Sequence, residues 1–234
     1  MTATGAVPAV GTPLAGAVAR NDALTTLELL SSLRQQRLLA TVRGDDPGAA
    51  VRTVVTLVEC GVRLVEVSLT SEQAQEVLAA VVREIGRAAL IGAGTVLSAA
   101  DAADAHSAGA HFAVTPGFGP GVAAAASLGL PVVAGALTPS EVACARSAGA
   151  AAIKLFPASL GGADYLRALR QPFPDVPFVP VGGIGHQEAR TMLAAGALAV
   201  GVGSPLVGDA ASGGSLTALR TRAATFLDTI GELP

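Results

Sequence analysis

Lys154 is the sole lysine of a 234-residue chain whose other basic side chains are all arginines. It sits inside an apolar run, Ala151-Ala152-Ile153-Lys154-Leu155-Phe156-Pro157-Ala158, that reads as a buried strand. Burying an unpaired ammonium is costly. Desolvation favours the neutral amine, and a neutral amine can attack a carbonyl to form a Schiff base. The non-chemical alternative is a lysine that snorkels from a strand end to solvent.

Glu66 is a second ionisable group in an apolar strand pattern, Leu64-Val65-Glu66-Val67. Period-two alternation puts Leu64, Glu66 and Ser68 on one face, and Ala152, Lys154 and Phe156 on one face of their own strand. If both faces point inward, the carboxylate and the amine converge, and Glu66 can move protons during imine chemistry. A buried ion pair without chemistry is the alternative. Gly182-Gly183 and Gly203-Ser204 end two later strands, where backbone amides and a hydroxyl suit a phosphate; simple turn glycines are the alternative. Gly92-Ala93-Gly94-Thr95 offers an amide and a hydroxyl to a substrate carboxylate, but lacks the third glycine of a dinucleotide fingerprint. Arg43, at a predicted strand end, suits a carboxylate or phosphate, with a rim salt bridge as the alternative. Thr115 and Pro116 are expected to shape the pocket wall. His186 is expected to be solvent-exposed, and His111 structural.

These groups must be held by eight predicted strands: Leu38–Val42, Arg63–Leu69, Ala89–Gly92, His111–Val114, Pro131–Ala134, Ala151–Phe156, Pro177–Val181 and Ala197–Gly201. A helical pattern follows each strand. Another, from Asp22 to Arg37, precedes them, with Leu24, Leu27, Leu30 and Leu33 or Leu38 on one face. Eight βα units indicate a parallel α/β architecture, and the count favours a closed (β/α)8 TIM barrel with an N-terminal helix. Gly61, Gly109, Gly149 and Gly196, each just before a strand, read as helix caps. Residues 22–234 are expected to form a single barrel domain, and residues 1–21 a flexible tail.

Composition narrows the function. A net charge of −3 gives no electrostatic case for nucleic acid or membrane binding. Cys60 and Cys144 lack CxxC partners and are expected to be buried free thiols. The three histidines lack metal-ligand spacing, and no stretch reads as a membrane span. The first twenty residues lack the basic region of a signal peptide. A reduced, cytoplasmic setting is therefore expected.

Val65-Glu66-Val67, Gly92-Ala93-Gly94-Thr95-Val96-Leu97, Thr115-Pro116-Gly117, Ile153-Lys154-Leu155-Phe156-Pro157-Ala158 and Gly182-Gly183-Ile184 share an order and spacing. In this the chain, from about Leu38 to Leu206, resembles the 2-keto-3-deoxy-6-phosphogluconate and 2-keto-3-deoxy-6-phosphogalactonate aldolases. The resemblance implies a class I aldolase on a (β/α)8 barrel, a homotrimer without metal or other cofactor. It would cleave a phosphorylated 2-keto-3-deoxy sugar acid to pyruvate and glyceraldehyde 3-phosphate. It further implies that Lys154 is the Schiff-base lysine and Glu66 the general acid/base. Thr95, with Pro116 in the pocket wall, would contact the pyruvate-derived part, and Gly182, Gly183, Gly203 and Ser204 would hold the phosphate.

Two positions depart from the family pattern. Thr70 stands where many phosphogluconate aldolases carry an arginine for the substrate carboxylate, and Val181 stands where a threonine is common. Arg43-Gly44 resembles the phosphogalactonate branch, and Arg43 is expected to supply the charge missing at Thr70. The C4 epimer stays open, as does an unphosphorylated substrate such as 4-hydroxy-2-oxoglutarate. Also open are a phosphosugar isomerase or epimerase using Glu66 as base, and a non-catalytic module binding pyridoxal phosphate or a phosphosugar.

Overall fold

The computed structural model describes residues 24–231. Its short apolar runs form eight parallel strands: Leu38–Val42 (β1), Leu64–Ser68 (β2), Leu90–Gly94 (β3), Phe112–Val114 (β4), Val132–Ala136 (β5), Ala152–Leu155 (β6), Phe178–Pro180 (β7) and Val200–Val202 (β8). The alternating helices are Thr26–Gln36 (α1), Pro47–Glu59 (α2), Ala74–Ile85 (α3), Ala99–Ser107 (α4), Pro120–Ser127 (α5), Pro139–Ser147 (α6), Gly162–Arg170 (α7), His186–Ala194 (α8), the short Ser204–Val207 (α9) and Leu216–Gly231 (α10). Strand order is β7-β6-β5-β4-β3-β2-β1-β8. The ends meet through a bridge between Val181 and Gly201 and a 2.8 Å bond from the Leu198 N–H to the Phe178 carbonyl. The sheet thus closes into a (β/α)8 barrel.

Strand alternation sorts the apolar side chains into two cores. Leu39, Leu64, Phe112, Val114, Val133, Ala152, Val179 and Val181 fill the barrel. Ala40, Val42, Val65, Val67, Ile91, Ala93, Ile153 and Leu155 pack outward against the helices. A Cβ on Gly92 would lie 2.4 Å from the Phe112 ring, so glycine there is what lets a phenylalanine occupy the barrel centre. The helix-to-strand turns reuse one device. Gly61, Gly109, Gly149 and Gly196 all adopt positive φ. The next residue's N–H returns to a carbonyl in the preceding helix, as in Val62 to Leu57 and Ala197 to Met192, which is the Schellman motif.

The N-terminal helix differs from expectation. Its N-cap is Thr25, in a capping box with Glu28, so Leu24 precedes the helix. Leu29 and Leu33 are the fully buried pair, while Leu27 is 78% exposed. Two residues on an α-helix are about 200° apart, which turns Leu27 away from the face that carries Leu29. Leu29 and Leu33 join the interior core and close the barrel where its strands begin; fully burying each leucine is worth roughly 1.5–3 kcal/mol.

Other boundaries also shift. β3 runs to Gly94 and β5 to Ala136, beyond the predicted Gly92 and Ala134, because glycine and alanine carry ladder hydrogen bonds as well as bulkier residues. The expectation of buried thiols fails for Cys144, which is exposed, and Cys60 is half-buried; both are free. The tail expected over residues 1–21 lies outside the described residues. No helix among those described is long and apolar enough to cross a membrane.

Candidate active site

Inward positions near the C-terminal strand ends carry the polar residues. Thr41 and Glu66 are register partners on β1 and β2. Lys154 stands between Gly135 on β5 and Val179 on β7. Lys154 Nζ lies 3.6 Å from Glu66 Oε1, with side-chain exposures of 8% and 2%. The structure therefore brings together the two ionisable groups expected to converge. Nζ also lies 5.4 Å from the centre of the Phe156 ring, within range of a cation–π contact.

The two carboxylate oxygens of Glu66 are not equivalent. Oε1 accepts a 2.7 Å hydrogen bond from the Thr41 hydroxyl and faces Lys154. Oε2 is buried and has no hydrogen-bond partner among the described residues. It abuts Gly94, where a Cβ would lie 3.2 Å from it. A buried acceptor without a donor is costly, and a substrate hydroxyl placed there would satisfy it.

Beyond Glu66 a polar chain runs toward the rim. Arg43 Nε donates to Ser68 Oγ at 3.3 Å. Ser68 Oγ lies 2.8 Å from Thr70 Oγ1 and 3.0 Å from Thr95 Oγ1. The structure gathers Arg43, Thr70 and Thr95 around one serine, so a guanidinium stands on the hydroxyl network that includes Thr70. Thr95 has φ +63°, an uncommon conformation for a residue that is not glycine.

On the opposite wall, Thr115 Oγ1 accepts from the Gly135 N–H at 3.0 Å and donates to the Gly117 carbonyl at 2.8 Å. This clamps the loop after β4 over β5. A Cβ on Gly135 would fall 2.2 Å from the Pro116 carbonyl carbon, so Pro116 can cross the strand beside Lys154 only because residue 135 is glycine. Pro116 thus lies against Gly135, the register partner of Lys154.

The paired glycines lie beside the loop after β6. Gly182 and Gly183 have φ +95° and +74°. A Cβ on Gly182 would press on the Phe156 ring, and one on Gly183 would lie 2.8 Å from Ser159 Cβ. The Ser159 N–H donates to the Gly182 carbonyl at 3.1 Å. Gly203 borders Thr41, and Ser204, exposed, opens α9. All four phosphate-site residues expected from sequence therefore stand on the β7 and β8 side of the same barrel mouth as Lys154.

The histidines lie elsewhere. His111 Nδ1 accepts from the Ile91 N–H at 2.9 Å, and burial holds it below the ordinary histidine value. His186 is not solvent-exposed as expected: it is half-buried, with its ring 4.0 Å from that of Phe226, because α8 packs on α10. A cavity of about 880 Å³ lined by Arg34, Arg37, Arg146, Arg170 and Asp175 opens at the far end of the barrel. It contains neither Lys154 nor Glu66, so its size is no guide to the chemistry.

Two site residues escaped the sequence reading. Thr41 shares strand parity with Leu39, and that alternation could have revealed it. Ser159 lies in a 3₁₀ turn at residues 158–160, which carries no periodic signal.

Residues 29–215 match the family model described as "Aldolase: KDPG and KHG aldolase". A 2-dehydro-3-deoxy-6-phosphogalactonate aldolase of Escherichia coli (strain K12) is 34% identical, over 83% of this chain and 95% of that protein. A 2-dehydro-3-deoxy-phosphogluconate aldolase of Treponema pallidum is 37% identical, over 69% of this chain and 76% of its own. Among solved structures, the KDPG aldolase of Legionella pneumophila, with pyruvate captured as a covalent carbinolamine intermediate, superposes with a TM-score of 0.75. It is 26% identical, over 86% of this chain and 96% of that one.

Proposed function

The chain belongs to the KDPG and KHG aldolase family, and from that membership we propose that Lys154 and Glu66 carry out the cleavage of a phosphorylated 2-keto-3-deoxy sugar acid. The protein is a class I aldolase, a carbon–carbon lyase. The single observation that carries the residue assignment is the buried 3.6 Å pair of Lys154 Nζ and Glu66 Oε1.

The proton path follows from that pair. Glu66 takes a proton from the Lys154 ammonium, leaving the nitrogen lone pair free to attack the C2 carbonyl. Once the carbinolamine has formed, Glu66 returns the proton to its hydroxyl, which leaves as water and yields the iminium. The carboxylate then takes the C4 hydroxyl proton, and the C3–C4 bond breaks. Its electron pair flows into the iminium, giving an enamine and a free aldehyde. Glu66 next protonates C3 of the enamine, and hydrolysis releases pyruvate and the amine. One carboxylate serves alternately as base and acid. Arg43, with Ser68, Thr70 and Thr95, holds the substrate carboxylate, and Pro116 bounds the pyruvate methyl side. Gly182, Gly183, Gly203 and Ser204 receive the phosphate.

The assembly we propose is a homotrimer. Leu97 is 55% and Phe118 44% exposed, and they share a groove with Val96, Pro116 and Pro120. An apolar rim of this kind is what a second copy would cover. Light scattering on Phe118→Asp is expected to show smaller particles than the parent protein.

Pyruvate release from each C4 epimer and from 4-hydroxy-2-oxoglutarate tests the substrate. Turnover of a phosphorylated epimer well above that of the unphosphorylated acid is expected. Cleavage of none of the three would contradict the assignment.

A further inference from the structure

We propose that Thr41 is a positioning residue that fixes the two oxygens of Glu66 in separate roles. The proposal rests on the reading of Lys154 and Glu66 given above. A carboxylate on a flexible side chain can rotate and interchange its oxygens. Here the Thr41 hydroxyl donates to Oε1 at 2.7 Å, and the same oxygen faces Nζ at 3.6 Å. Oε2, unpartnered and buried, is left facing Gly94. Oε1 is thereby committed to proton exchange with the lysine, and Oε2 to the substrate hydroxyl.

The surroundings of Glu66 make Thr41 the decisive neighbour. β1 brings Thr41, β3 brings Gly94, and β6 brings Lys154, which is the one charged group within ion-pair distance among the described residues. The next charge on this wall, Arg43, is engaged by Ser68. Among the described residues, Thr41 is thus the one side-chain hydroxyl bonded to the carboxylate.

The test compares Thr41→Val, which keeps shape and removes the hydroxyl, with Thr41→Ser, which keeps the hydroxyl. In Thr41→Val, kcat is expected to fall roughly tenfold with KM within about twofold, as for loss of one hydrogen bond to a charged group. Thr41→Ser is expected to restore kcat. If Thr41→Val does not fold, Thr41→Ala against Thr41→Ser makes the same comparison. An unchanged kcat in Thr41→Val, or a Thr41→Ser protein as impaired as Thr41→Val, would overturn the proposal. Borohydride trapping with pyruvate on the parent protein separates the two levels. Without a Lys154 adduct, the underlying reading falls as well; with one, an unaffected Thr41→Val protein sinks the Thr41 role alone.

Discussion

Glu66 Oε1 stands 3.6 Å from Lys154 Nζ although β2 and β6 share no ladder and face each other across the barrel. A closed barrel turns residues distant in sequence into facing neighbours. Burial at the mouth removes the water that would otherwise compete for both charges. The same barrel supplies the room: Gly94 and Gly135 sit beside the pair, where side chains would strike Glu66 or the Pro116 backbone.

Replacing Glu66 by Gln keeps the volume and the contact with Thr41 but removes the proton acceptor. Turnover is expected to fall about 10²–10⁴-fold, the usual contribution of a positioned acid or base. Pyruvate trapping on Lys154, given long incubation, is expected to persist. Equal loss of trapping and turnover would mean that Glu66 acts by holding the lysine in place.

Gly183→Ala probes the phosphate assignment. Its φ of +74° is unfavourable for alanine, and the new Cβ would lie 2.8 Å from Ser159 Cβ. The loop must shift, so KM for a phosphorylated substrate is expected to rise about tenfold or more, while cleavage of an unphosphorylated keto acid changes little. Equal effects on both substrates would place the phosphate elsewhere.

His111 gives a pH dependence unconnected with catalysis. Burial holds its folded-state value below the ordinary 6.5. The unfolded chain therefore binds the proton first as pH falls. The stability tied to neutral His111 is whole above about pH 6.5 and is lost as pH drops toward the folded-state value. Asn at position 111 can accept the same N–H without titrating. Melting temperatures measured from neutral to mildly acidic pH are expected to fall more steeply for the parent than for His111→Asn; parallel curves would contradict this.

Strand alternation grouped Glu66 with Leu64 and Ser68, and Lys154 with Ala152 and Phe156, and the glycines before four of the strands marked helix ends. Alternation could not say which strands would face one another, since that depends on closure. The buried pair of α1, Leu29 and Leu33, is not legible from a leucine stripe starting at Leu24, because the Thr25–Glu28 capping box starts the helix after that residue. Ser159 lay beyond reach because a 3₁₀ turn leaves no period to read. Thr41 was legible in parity but looked like an ordinary β-branched strand residue until its hydroxyl met Glu66. The exposure of Cys144 and the burial of His186 depend on helix-to-helix packing, which short windows of sequence do not encode.

The most direct test is mass spectrometry after borohydride reduction, with and without pyruvate. With one lysine in the chain, the N-terminal amine is the sole competitor. A pyruvate-dependent adduct on the peptide containing Lys154, absent from Lys154→Met, is the predicted result. Folded, unmodified protein at neutral to mildly alkaline pH, or an adduct confined to the N-terminus, would contradict Schiff-base catalysis by Lys154.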